Sequence, residues 1–219
     1  MSPRMTICLA LAGVLLTCAC AQLHAQDWKE KIEAKKEALI RKNGNGTDAR
    51  LKAELLAMAE SDQDVRKRWL AAPSENRAPI AAEMQQTDKD LTAKLKTIVD
   101  AQGWPTISLV GLEASRAAAL ILTHSPDHDF QRRLLPDLQK LIDDDKIMAA
   151  DIANIIDKLL VAEGKPQRFG TQIDFRDGNS VLWPIEDPAH LEQRREQYGL
   201  TPMAVYKKLL VDKYHLKED

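Results

Sequence analysis

Apolar residues recur every three, four or seven positions along most of the chain, the period of helices that bury one stripe. Residues 27–42 (DWKEKIEAKKEALIRK) carry sparse apolar points at Trp28, Ile32, Leu39 and Ile40. Asn43-Gly44-Asn45-Gly46 ends that segment, because Asn and Gly tolerate positive φ. Thr47 or Asp48 is placed to cap the next helix, whose stripe is Leu51, Leu55, Met58, Val65 and Trp69. Asp62 alone interrupts it. Ala71-Ala72-Pro73 breaks the helix, and the pattern resumes with Ile80, Met84, Leu91, Leu95 and Ile98. Such narrow seams on polar helices predict a long antiparallel hairpin.

The texture changes at Asp100. Residues 101–106 (AQGWPT) predict a non-helical corner, and Ile107 to Gly111 a short extended or turn segment. Leu112 to His124 is rich in small residues and apolar on most sides, which predicts a central buried helix. Ser125 as N-cap and Pro126 at the first helical position restart the chain, with Phe130, Leu134, Leu138, Leu141 and Ile142 inward. Asp143 to Lys146 is a polar corner before a helix over Ile147–Ala162, with Ile152, Ile155, Ile156, Leu159 and Leu160 inward and Gly164 ending it.

The helical period fails between Gly170 and Pro184. Residues 171–175 and 180–183 alternate in character around Asp177-Gly178, a hairpin turn signal. An isolated hairpin is marginal in water, so this ribbon is expected to pack on helices. Asp187-Pro188 and Thr201-Pro202 each open a further helix, the last anchored by Tyr206, Leu209 and Leu210. The fold class read from the pattern is mainly α: a helical bundle with a small two-stranded β-ribbon near the C-terminal third. Residues 26–99 form an N-terminal helical hairpin region, and residues 100–219 a compact helical domain with the β-hairpin.

Residues 1–25 stand apart as a secretory signal. Arg4 supplies positive charge, and Ile7 to Leu16 is an uncharged run of ten. A membrane span needs about 20 such residues. Ala19-Cys20-Ala21 fits cleavage before Gln22, and Leu23-His24-Ala25 fits cleavage before Gln26. The expected location is the periplasm or the exterior. The alternative is a lipid anchor at Cys18 or Cys20, although Leu15-Leu16-Thr17-Cys18 is an imperfect lipobox. All 3 cysteines (Cys8, Cys18, Cys20) fall within this segment. The body of the protein therefore has no cysteine for thiol catalysis, Zn–Cys ligation or disulfides. The 219 residues hold 31 Lys+Arg against 33 Asp+Glu, a net charge of -2, which gives no basic footprint for nucleic acid. Aromatic residues at 5% argue against a stacking platform for bases or sugars.

The densest polar cluster is His124-Ser125-Pro126-Asp127-His128-Asp129. His124 is placed to act as a general base or a ligand, or simply to cap the carbonyls of its helix. Asp127 and Asp129 suit a helix first turn, where the macrodipole favours carboxylates. No HExxH and no second histidine cluster occur, so no metal is expected. Phosphate-loop and dinucleotide fingerprints are absent, so no cofactor is expected, and no GxSxG elbow presents a serine. Gln167, Thr171 and Gln172 enter the ribbon as polar groups that are costly if buried unpaired. They either bind a polar ligand or satisfy loop carbonyls. Gln131, seven residues after His124, is expected to face the same cleft. Asp157 sits mid-helix among apolar residues, solvated or paired with Arg116 or Arg168. Trp104 beside Pro105 is core or ligand wall.

Gly103-Trp104-Pro105, Ser108 to Gly111, Ala114-Ser115 through Ala118-Ala119 to His124, and Phe130-Gln131 together resemble an uncharacterised bacterial family, a domain of unknown function. Asp157-Lys158, Gly164 to Gln172, Arg194-Arg195 and Gly199-Leu200 extend the likeness over about residues 90–210. The chain departs from the family pattern at Lys158, where Arg is usual, and at Phe169, where Tyr is usual. The resemblance implies no activity. The residues lead to an exported binding or interaction module for a small polar ligand or an envelope protein. Its candidate contacts are Gln131, Gln167, Thr171, Gln172 and Trp104. The alternative is a hydrolase-like enzyme using His124 as acid/base. A purely structural role for these groups is the third reading.

Overall fold

Local capping sets where the chain turns. In the computed structural model, which describes residues 28–176 and 179–214, helix α1 covers residues 28–43. The expected secretory signal, residues 1–25, and the expected Asp177-Gly178 turn lie outside the described residues. Asp48 caps α2 (Ala49–Ala71) by accepting a hydrogen bond from the Leu51 amide at 2.9 Å. Pro73 follows, then a single 3-10 turn (Ser74–Asn76), then α3 (Arg77–Gln102). The expected corner at 101–106 begins two residues later than its sequence signal. Ala101 and Gln102 continue the helix, and Gly103, at φ 80, ends it. Helices α2 and α3 are antiparallel, tied by Arg66 to Asp88 and Arg68 to Glu83.

Residues 107–110 form a single helical turn, α4 (Ile107–Val110), followed by α5 (Leu112–His124), as its pattern predicts. The amides of Thr47 and Asp48 donate to the Leu109 carbonyl at 2.8 Å, which sets the start of α2 beside the start of α5. Partway along α2, Asp62 meets His124 at the far end of α5. The two helices therefore run parallel and in step. The approach is close at the corner. A Cβ on Gly46 would lie 2.5 Å from the Gly111 nitrogen, and one on Gly111 would lie 2.7 Å from the Asn45 carbonyl oxygen. Gly111 also has φ 81, ψ 165, a region nearly closed to other residues. Gly111→Ala is expected to cost about 2 kcal/mol or more, lowering Tm by roughly 4–8 °C in a chain of this size. Equal melting temperatures would show that the corner can relax.

Helix α6 (His128–Asp143) and helix α7 (Ala149–Ala162) form a second antiparallel pair. The N-cap of α6 is Asp127, two residues later than the expected Ser125. The Asp127 carboxylate reaches the Phe130 amide at 2.8 Å, while the Ser125 hydroxyl accepts from the Asp127 amide. Pro126 thus belongs to the lead-in. Helix α7 runs parallel to α5: Arg116 meets Asp151, and Lys158 meets Thr123, both 35 positions apart.

Strands β1 (Ile173–Arg176) and β2 (Asn179–Leu182) pair antiparallel in the register Ile173↔Leu182 to Arg176↔Asn179. Beyond them come α8 (Leu191–Tyr198) and α9 (Met203–Tyr214). The mainly α architecture with one β-ribbon is the one the pattern predicts. Leu51, Leu55 and Leu95 from the hairpin share one core with Ala114, Ala118, Leu122 and Ile155. Alanines on α5 let its neighbours approach from several sides, which makes it the central helix. Helix α1 packs separately, with Leu39 against Ile107, Leu112 and Met148. Three expected anchors differ: Leu209 of α9 is 49% exposed, and Ile80 and Met84 are only half-buried, because α2 and α3 run on past the end of α5. No helix among the described residues is long and apolar enough to cross a membrane.

Candidate functional site

Because α2, α5 and α7 point the same way with α5 recessed, a groove of about 1200 Å³ opens above α5. Its floor is one face of α5, spaced at helical intervals: Glu113, Arg116, Ala117, Leu120, Thr123 and His124. Helix α2 supplies one wall; α7, the ribbon entrance and α9 supply the other.

The C-terminal end of the floor is a polar cluster. Asp62 is fully buried, and its Oδ1 lies 2.8 Å from His124 Nδ1. Gln63 Nε2 donates to Asp62 Oδ2 at 2.7 Å, and Arg66 Nη1 lies 3.1 Å from Oδ1. Burial alone would raise the Asp62 pKa. The hydrogen bond and charge of His124, with Gln63 and Arg66, hold it below the ordinary 3.8. An ionised carboxylate on Nδ1 assigns a proton there, so Nε2 is the ring nitrogen left for a guest, as acceptor in the neutral ring and as donor in the imidazolium. Arg66 Nη2 also donates to both carboxylate oxygens of Asp88, at 2.8 and 3.1 Å. At the other end of the floor Arg116 pairs with Asp151 at 3.1 Å. Burial there pushes the Asp151 carboxyl up, with Arg116 opposing.

The groove gathers some of the sequence candidates and leaves others out. His124, Thr171 and Gln172 line it. Gln131 does not: it is fully buried, and its Nε2 donates to the carbonyls of Leu122 (2.6 Å) and Ser125 (3.3 Å). With Lys158 Nζ, which donates to Thr123 O at 2.7 Å and Ser125 O at 3.0 Å, it satisfies the C-terminal carbonyls of α5. That capping, once open to His124, falls to these two side chains and frees the imidazole. Burial lowers the Lys158 pKa. Gln167 is also fully buried and outside the groove. It latches the ribbon by donating to Gln172 O (3.0 Å) and Trp183 O (2.9 Å) and accepting from the Gln172 amide (2.8 Å). Trp104 sits in the core at 9% exposure.

Asp157 pairs inside, but with neither arginine side chain proposed for it. It accepts from the amides of Arg168 (2.7 Å), Phe169 (3.0 Å) and Thr171 (2.9 Å) and from the Thr171 hydroxyl (2.9 Å). That clamp, with buried Arg195 donating to the Phe169 carbonyl, positions residues 167–172. Gln172 then reaches the groove, its Nε2 donating to Asn154 Oδ1 at 2.9 Å. The groove hydroxyls of Thr123 and Thr171 donate to Ala119 O and Asp157, so neither is poised as a nucleophile. Asp62, Arg66, Asp151 and Asn154 are site groups that sequence reasoning did not propose. One signal existed: Asp62 broke an otherwise apolar stripe, and a buried acid there needs a partner.

The two glutamines separate experimentally. Gln167→Ala, which strips three hydrogen bonds made by a fully buried side chain, is expected to cost about 2–3 kcal/mol in a urea titration. Gln172→Ala, at a half-buried site, is expected to cost under about 1 kcal/mol in the same urea titration. Equal losses would mean that Gln172 also serves the fold.

Over residues 49–219 the sequence matches the family of unknown function DUF6624; α1 precedes the matched region. No curated protein and no solved structure matches the chain.

Proposed function

The chain belongs to the DUF6624 family of unknown function, and from that premise we propose that it is an exported cell-envelope protein whose groove binds a polar ligand or partner segment. His124, Gln172 and Asn154 are the recognition groups. The observation that carries this reading is the Asp62–His124 pair, which ties a buried carboxylate of α2 to the imidazole on the groove floor at 2.8 Å across 62 positions of sequence. A buried carboxylate that fixes one ring nitrogen and leaves the other for a guest is preorganised for binding. The proposed partners exclude nucleic acid, given the net charge of -2, and include a membrane only if Cys18 or Cys20 is lipidated. Export is supported by Arg4, the Ile7–Leu16 run and a body without cysteine.

Two measurements test the proposal. The mature protein recovered from its host is expected to begin at Gln22 or Gln26, or to carry an acyl mass on Cys18 or Cys20; an intact Met1 terminus would refute export. Ligand retained from an envelope extract, followed by native mass spectrometry, is expected to fall about tenfold in the His124→Ala variant. Retention indifferent to His124 would remove the site.

One observation favours a second reading, the hydrolase. With Nδ1–H held by Asp62, His124 Nε2 is a base able to take a proton from water as it attacks an ester or amide carbonyl. That reading requires turnover that disappears in His124→Ala and falls in Asp62→Asn with the fold intact.

A further inference from the structure

Among the described residues four large apolar side chains are strongly exposed: Leu56 (40%), Leu70 (38%), Val181 (42%) and Leu209 (49%). Three of them, Leu56, Leu70 and Leu209, line this one groove. They come from α2 and α9, far apart in sequence; Leu56 and Leu209 line the part of the groove whose floor is apolar at Ala117 and Leu120, and Leu70 lies on α2 past the end of α5. Scattered surface leucines need no explanation, but a shared concave apolar lining does.

Charge along the groove is uneven. The His124 end holds three cations, Arg66, Lys67 and Lys158, against two carboxylates, Asp62 and Asp88. The opposite end holds Arg116 against Glu113 and Asp151. An anionic head is therefore favoured beside His124, with an apolar body directed away from it along α5. The distance available is set by helix geometry. From His124 to Ala117 is seven residues, about 10 Å of rise. With C–C bonds near 1.5 Å in a zigzag, that spans roughly eight methylenes. Beyond it lies the charged Arg116–Asp151 pair, where a longer chain gains nothing.

We infer that the groove takes a medium-chain, single-tailed amphiphile with a carboxylate or phosphate head, the head beside His124 and the tail between Leu56 and Leu209. The inference rests on the groove being the binding site, and names the class of molecule that fills it.

The test is isothermal titration of the mature chain with n-alkyl carboxylates and n-alkyl phosphates of rising chain length, all below micelle formation. Affinity is expected to rise about fourfold per methylene. The rise should continue to roughly eight carbons and then level, as the span to Ala117 dictates. Leu209→Asp, a change at an exposed site, should flatten the series; His124→Ala should weaken every member and leave its slope. The two heads report which anion is preferred. Binding that depends on His124 but not on chain length would overturn the amphiphile and leave the polar-ligand reading standing. Binding indifferent to His124 would remove both. No binding by any member, or a concentration-dependent dimer that buries Leu209, would overturn the amphiphile inference.

Discussion

Replacing Asp157 with alanine is expected to lower the melting temperature by roughly 8–16 °C, from a loss of about 4 kcal/mol at 2–4 °C per kcal/mol. The reason is the number of donors that converge on one buried carboxyl group. The amides of Arg168, Phe169 and Thr171 and the Thr171 hydroxyl all point to it, and Asp157 has no exposure to water. Alanine would leave three backbone donors without an acceptor, each costing about 1–3 kcal/mol, with less than full additivity because they share a loop. Asp157→Asn keeps one acceptor oxygen and is expected to lose about half as much. Thr171→Val removes only the hydroxyl bond and should cost about 1 kcal/mol. The loss also reaches the groove, since the clamped loop carries Gln172 to Asn154. An Asp157→Ala protein that melts within a degree or two of the parent would mean that the loop is held by Arg195 and Gln167 alone.

Asp62→Ala is expected to destabilise the fold by about 3–4 kcal/mol, the cost of breaking a buried ion pair from one side. Its carboxylate is met by His124, Arg66 and Gln63, and the side chain is 1% exposed. Arg66 keeps Asp88 in the variant, which limits the damage. The pH dependence has a definite sign. The Asp62 pKa is held below its ordinary value in the folded state, so its contribution is complete above that value and fades as the pH falls through the folded pKa. Urea unfolding between about pH 5 and pH 2 should therefore show a shallower acid loss in Asp62→Asn than in the parent. Asp127, also held low by Lys96 and the Phe130 amide, titrates in both proteins and cancels in the comparison. Asp151 is shifted the other way, upward by burial, so its contribution is greatest in acid and is lost as the pH rises through its folded pKa; it too cancels. A double-mutant cycle of Asp62→Ala with His124→Ala is expected to give a coupling of about 1–3 kcal/mol. Zero coupling would mean that the carboxylate does not hold the ring.

Much of the secondary structure was legible along the chain. Leu112 to His124 reads as a small-residue, apolar helix and is one, because burial on all sides leaves a compositional trace. The ribbon was legible because its alternation and turn signal break a helical period. Ends were less legible: Ser125-Pro126 carries a good start signal, but Asp127 outcompetes it by reaching the Phe130 amide. The candidate site was legible only at His124, Thr171 and Gln172. Gln131 and Gln167 carry the same amide chemistry as Gln172, and whether an amide meets a backbone carbonyl or a groove depends on where the neighbouring helices end.

By itself, the order of residues determined which segments are helical, which face of each is apolar, and that Asp62 and Asp157 were polar groups needing partners. Only the packed structure decided the partners. A helical period states which face a helix buries, but not what lies opposite or which way the neighbour runs. The parallel alignment of α2, α5 and α7 brings Asp62 to His124 across 62 positions and Lys158 to Thr123 across 35. That alignment is fixed by contacts between distant segments, such as Thr47 and Asp48 on Leu109 and the fit of Gly46 against Gly111. Nothing local to any one helix encodes them.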